Sequence, residues 1–162
     1  MKTTREAARE ASHKNLVGIL TTLLEKNYDA EKGYKNAIEH TKNPELKHFL
    51  RNQAAQRNHF ATELDKHIHM LNEHPKASSN GSALGNIHRL WMNVKTSWSK
   101  KDTAAILEEC LRGEKASLKE YEEKISKNIL PPQIKSMLED HRDKIRETVS
   151  EIKKLEDLDL KL

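Results

Sequence analysis

The chain has 162 residues, 29 Lys and Arg against 25 Asp and Glu, a net charge of +4, 33% charged residues, 4% aromatics, five Gly and four Pro. That length suits one domain, and few turn-formers among so many charges exclude a strand-rich protein and point to long solvated helices, an all-α fold. Both signs of charge are interleaved with no basic run, so neither nucleic acid nor an anionic membrane is implied, and one cysteine, Cys110, excludes an intramolecular disulfide or a cysteine-only zinc cluster.

The first residues, Met1-Lys2-Thr3-Thr4-Arg5-Glu6-Ala7-Ala8, lack the apolar core of a signal peptide. No window holds the ~18 apolar residues that a membrane span needs, so a soluble, cytoplasmic protein is expected. Residues 1–12 are helix-prone without an apolar stripe and read as a frayed extension of the first helix. From there to residue 160 the chain reads as a single bundle domain.

Apolar residues then recur at alternating steps of four and three, the spacing that keeps one stripe of a helix against a partner. Helix A, 13–41, carries Leu16, Leu20, Leu23, Asn27, Ala30, Tyr34, Ala37 and Thr41 on its seam; helix B, 44–73, carries Leu46, Leu50, Gln53, Arg57, Phe60, Leu64, His67 and Leu71. A crossover, 74–101, begins with Lys76-Ala77-Ser78-Ser79-Asn80-Gly81-Ser82 and continues into a short helical stripe of Leu84, Ile87, Trp91, Val94 and Trp98. Helix C, 102–128, carries Leu107, Leu111, Glu114, Leu118, Tyr121 and Ile125; helix D, 132–158, carries Ile134, Leu138, His141, Ile145, Thr148, Ile152 and Leu155. Pro44 and Pro132 stand where a helix start tolerates proline, so A–B and C–D are short antiparallel hairpins. One long connection between two hairpins is the ferritin-like arrangement of a four-helix bundle.

Asn27 and Arg57 lie at similar distances on either side of the first turn, and Glu114 and Thr148 on either side of the second. All four therefore fall near mid-height. A lone buried ion loses several kcal/mol of hydration, so the economical arrangement is an Arg57–Glu114 pair, with Asn27, Gln53 and Thr148 adding hydrogen bonds. Tyr34 and Tyr121, each two turns beyond Asn27 and Glu114, read as core tyrosines with hydroxyl partners.

Other candidates are weaker. Glu45-x-x-His48 has the spacing of a carboxylate–imidazole ligand pair, but His48 faces away from the seam and Glu45 complements the helix dipole. His59 and Glu63, near Glu31, are solvated flank residues that would otherwise make a displaced metal site. His67 and His141 read as satisfied seam histidines. His88-Arg89 beside Trp91 reads as a recognition feature or as the packing edge of the crossover. Nucleophile elbows, phosphate loops and dinucleotide fingerprints are absent from the sequence.

The segments Asp29-Ala30-Glu31-Lys32-Gly33-Tyr34, Gln56-Arg57-Asn58-His59-Phe60-Ala61-Thr62-Glu63-Leu64, Gly85-Asn86-Ile87-His88-Arg89-Leu90-Trp91-Met92 and Glu109-Cys110-Leu111-Arg112-Gly113-Glu114-Lys115-Ala116 resemble a bacterial ferritin-like four-helix-bundle family of unknown function. The resemblance spans about residues 14–156 and implies a fold rather than an activity; a stress-related setting is analogy of fold alone. Ala30, Leu90, Leu111 and Val149 depart from that family's pattern, Val149 standing where a helix D histidine is expected.

Di-iron ferritin-like proteins place a Glu on two helices and Glu-x-x-His on the other two. At those positions this chain offers Asn27, Arg57 with Phe60, and Glu114, with no such motif on helix D. The expectation is a non-enzymatic structural or interaction protein with a degenerate metal position and no cofactor. The alternative is a metal-binding protein of di-iron-type oxidative or storage activity, with iron or another divalent metal on Glu31, Glu63 and Glu114.

Trp91 and Trp98 sit on a helix that can cover only one of its own faces, which predicts a homodimer built around the crossover. Light scattering at micromolar concentration should give twice the chain mass, lowered by Trp91→Ala; a monomer unchanged by that substitution contradicts it.

Overall fold

The computed structural model describes residues 3–71 and 103–159. They form four α-helices: α1 Thr4–Ile38, α2 Pro44–Met70, α3 Thr103–Ser126 and α4 Pro132–Asp159. The all-α four-helix bundle expected from the periodicity is the architecture observed. The crossover 74–101, with Trp91 and Trp98, lies outside the described residues.

Helix ends follow local chemistry. At the start of α1 the Thr3 hydroxyl accepts from the Glu6 N–H at 3.1 Å while Glu6 accepts from the Thr3 N–H at 3.0 Å, a reciprocal cap that satisfies two of the free donors of a first turn. Residues 4–12 are therefore the capped opening turns of α1 rather than a frayed extension, although their side chains remain exposed as the missing stripe implies. At its other end α1 stops at Ile38, three residues before the expected boundary. There Thr41 turns back to accept from the Asn43 N–H at 3.2 Å, and Asn43 caps α2 by accepting from Leu46 at 3.0 Å, with Pro44 in the first turn. Likewise α2 ends at Met70 rather than 73 and α3 at Ser126 rather than 128.

Two apolar clusters fill the bundle. One joins Ala30, Tyr34 and Ala37 of α1, Leu46, Phe49, Leu50 and Ala54 of α2, Ile106, Leu107 and Cys110 of α3, and Ile152 of α4. The other joins Ile19, Leu20, Leu23 and Leu24, then Phe60, Ala61, Leu64 and Ile68, then Tyr121, then Ile134, Met137, Leu138 and Ile145. Buried residues such as Leu24, Phe49 and Ile68 widen each stripe beyond the two-position seam, as a helix in a globular core requires. His67 is correspondingly only half-buried, while its neighbour Ile68 is inside.

Helix directions follow from cluster membership. The last turns of α2 lie in the second cluster and the first turns of α3 in the first, so α2 and α3 run parallel and α3 begins at the far end from where α2 stops. Side chains of α1 meet those of α3, and side chains of α2 meet those of α4, leaving α2 and α3 on a diagonal. Among the described residues no helix is long and apolar enough to cross a membrane.

Candidate functional site

Between the two apolar clusters lies a layer of fully buried polar side chains: Asn27, Arg57, Glu114 and His141 are all at 0% exposure. Arg57 spans the diagonal of the bundle. Its Nη2 donates to Glu114 Oε2 at 2.8 Å and its Nη1 to Asn27 Oδ1 at 3.0 Å. The Tyr34 hydroxyl donates to the second carboxylate oxygen, Glu114 Oε1. The amide of Asn27 donates to the Leu23 carbonyl at 2.8 Å and to the Tyr121 hydroxyl at 2.9 Å, and that hydroxyl lies 3.0 Å from His141 Nδ1. His141 Nε2 completes the row at 3.0 Å from Glu63 Oε1, which also meets His59 Nε2 at 3.2 Å on the surface.

One set of protonation states satisfies each of these hydrogen bonds, while the buried Arg57 Nε is left without a partner among the described residues. Burial lowers His141 to about 4 against the opposing pull of Glu63, so the imidazole is neutral at pH 7. A neutral ring carrying its proton on Nε2 donates to Glu63 and accepts from Tyr121, leaving the Tyr121 oxygen to accept from Asn27. Burial also raises Tyr121, and burial followed by the Glu114 charge raises Tyr34 well above the usual phenol range, so both remain hydroxyl donors. Desolvation is the largest influence and opposes the Arg57 charge, yet Glu114, joined by Tyr34 and Tyr121, outweighs it and holds the guanidinium cationic. Burial and then Glu114 push the Cys110 thiol up, out of its reactive form.

Arg57, Glu114, Asn27, Tyr34 and Tyr121 thus converge on one connected group. Gln53 and Thr148 do not join it. The Thr148 hydroxyl lies 3.0 Å from Gln53 Oε1 and both meet the Gln56 amide at 3.4 Å, a separate tie between α2 and α4. The acids Glu31, Glu63 and Glu114 do not gather either: Glu31 accepts from Asn58 at 3.2 Å and meets Lys35 at 2.7 Å, Glu63 faces two histidines, and Glu114 is held by Arg57 and Tyr34. Among the described residues no three His, Cys, Asp or Glu side chains are disposed to hold a metal ion. In the Glu45-x-x-His48 pair, the exposed His48 bonds instead to Asn52 at 3.2 Å.

Sequence reasoning missed Glu63 as a partner of the layer and read His141 as satisfied without naming its partners. The available signal was spacing, since His141 lies two turns before Thr148 on the same stripe, as Tyr121 lies two turns after Glu114. Phe60, in a ligand position of the di-iron pattern, stacks on His141 with ring centroids 4.1 Å apart and planes at 19°.

Removing one member of a buried pair strands the other charge, a loss of about 3–5 kcal/mol, whereas deleting one hydroxyl donor to a carboxylate costs about 1–3 kcal/mol. Urea unfolding should place Glu114→Ala in the first range and Tyr34→Phe in the second. A Glu114→Ala protein as stable as the parent contradicts this layer.

The family described as domain of unknown function DUF2383 matches residues 15–127. A solved structure, a mutant of Dps1 from Mycobacterium smegmatis, is similar with a TM-score of 0.72 at 14% identity, covering 90% of this chain and 97% of that one. A search of curated proteins gives no match. Identity that low carries the fold alone, a ferritin-like four-helix bundle. With seven-tenths of its length matched, the chain belongs to the DUF2383 family of unknown function.

Proposed function

We propose that this is a ferritin-like bundle whose central cation position is filled by the protein itself, and that it acts as a structural or interaction protein rather than a di-iron enzyme. The observation that carries this reading is Arg57, wholly buried at mid-bundle with its guanidinium on Glu114 at 2.8 Å and on Asn27 at 3.0 Å. A guanidinium never deprotonates at accessible pH, so it sets a fixed positive charge where a divalent ion would sit and occupies the carboxylate that would ligate it. The remaining positions support the same reading. Asn27 offers a neutral amide whose oxygen is already used, and Phe60 offers no donor atom at all.

A di-iron or iron-storage activity on Glu114 requires Arg57 to leave the core, stranding a charge there. The homodimer through Trp91 and Trp98 and a cytoplasmic location belong to the same reading on the sequence grounds given above. Elemental analysis of the purified protein, followed by aerobic iron(II) addition monitored by absorbance, tests it. Metal well below one ion per chain and no protein-dependent oxidation is the expected result. Close to two irons per chain with rapid oxidation overturns the proposal.

A further inference from the structure

His141 is enclosed by three other groups of the bundle. Its ring lies on Phe60 of α2, its Nε2 meets Glu63 of α2, and its Nδ1 meets Tyr121 of α3, through which the uncharged Asn27 of α1 is the next member. The imidazole is at 0% exposure, yet the Glu63 side chain beside it is 36% exposed, so the ring is one hydrogen bond from solvent. Arg57 of α2 also acts on the ring, disfavouring its charge, while Glu63 and Asp140 of α4 favour it. His59 of α2, itself exposed, meets the same Glu63 oxygen at 3.2 Å.

Donor accounting makes this position sensitive to acid. In the neutral state each hydrogen has one acceptor: Asn27 donates to Tyr121, Tyr121 to His141 Nδ1, and His141 Nε2 to Glu63. A proton added at Nδ1 turns that acceptor into a donor. Two donors, Nδ1–H and the Asn27 amide, then face the Tyr121 oxygen, whose own hydrogen has lost its acceptor in the row. His59, at 3.2 Å from the same Glu63 oxygen, shares the acceptor that would compensate the new charge.

We propose that His141 is an acid-operated catch between α4 and the rest of the bundle: protonation at Nδ1 reverses the Tyr121–His141 hydrogen bond and loosens the middle of α4 from α2 and α3. The inference goes beyond the structural role proposed above and does not depend on it, since the row exists whether or not the bundle holds a metal elsewhere.

The sign follows from linkage. The folded state resists protonating His141 until about pH 4, whereas an unfolded histidine takes its proton near 6.5. Between those values the unfolded chain holds the extra proton, so this group's contribution is complete above pH 6.5 and is lost as pH falls toward 4. Carboxylates elsewhere also titrate at the low end, so the comparison is with His141→Gln, which keeps polar atoms at the site but takes up no proton.

The experiment is urea unfolding of the full chain from pH 7.5 to 3, with amide hydrogen exchange along α4 and imidazole nitrogen NMR at the same pH values. Over that range the parent's unfolding constant should rise at least tenfold more than that of His141→Gln, with protection factors near residues 138–145 falling in the parent alone. Glu63→Gln, which keeps an acceptor but removes the favouring charge, should move the step to lower pH, so the test survives if His141→Gln fails to fold. Parallel pH curves for the parent and His141→Gln overturn the proposal. So does a His141 ring that protonates near 6.5 without change in exchange, or a Glu63→Gln step at unchanged pH.

Discussion

The structure depends on where Arg57 puts its charge. A guanidinium in a bundle core has lost several kcal/mol of hydration, and the Coulomb attraction of a carboxylate at 2.8 Å recovers that only if the remaining donors and acceptors are also used. Asn27 takes the second guanidinium arm and Tyr34 occupies the second carboxylate oxygen, leaving only the Arg57 Nε of the pair unpartnered among the described residues, so α1 and α3 are committed once α2 presents its arginine. Apolar replacements of such pairs are often no less stable, which makes alignment a better explanation of the pair than stability. Leucine-rich stripes accept several registers; a row of directed hydrogen bonds accepts one.

The same row is what supports the proposal that the protein itself, rather than a di-iron centre, fills this level of the bundle. A pair of divalent ions asks for inward carboxylates and imidazoles with an excess of negative charge, and the described layer offers one central carboxylate already neutralised. His141 is the imidazole within the connected row, but it is turned between Tyr121 and Glu63 and covered by Phe60, so its nitrogens are both engaged. The frame is shared with the Mycobacterium smegmatis structure, while the chemistry of the central layer is a property of these particular side chains.

Much of this was legible in the chain because long amphipathic helices report their own geometry. The stripe spacing and two proline-started turns set the hairpins, and counting residues from each turn brought Asn27, Arg57 and Glu114 to one height. Partner choice within the layer was less accessible. Gln53 lies one helical turn from Arg57 on the seam, yet it faces Thr148 across the α2–α4 contact, because rotation of a helix by a fraction of a turn decides which neighbour a polar side chain reaches. Glu63 reads from sequence as a solvated flank residue, and its exposure agrees; only the approach of α4 reveals that it also closes the row at His141. The helices end at Ile38 and Met70, where the next backbone N–H groups, of Glu39 and Leu71, bond back into the last turn, a local closure that periodicity does not encode.

A double-mutant cycle on Arg57 and Glu114 tests the central claim most directly, using Arg57→Met, Glu114→Leu and the pair together. The account predicts that each single change loses about 3–5 kcal/mol and that the double variant regains most of it, giving a coupling of at least about 3 kcal/mol. Losses that simply add, with a coupling below about 0.5 kcal/mol, would contradict the tie on which the rest of the bundle is built.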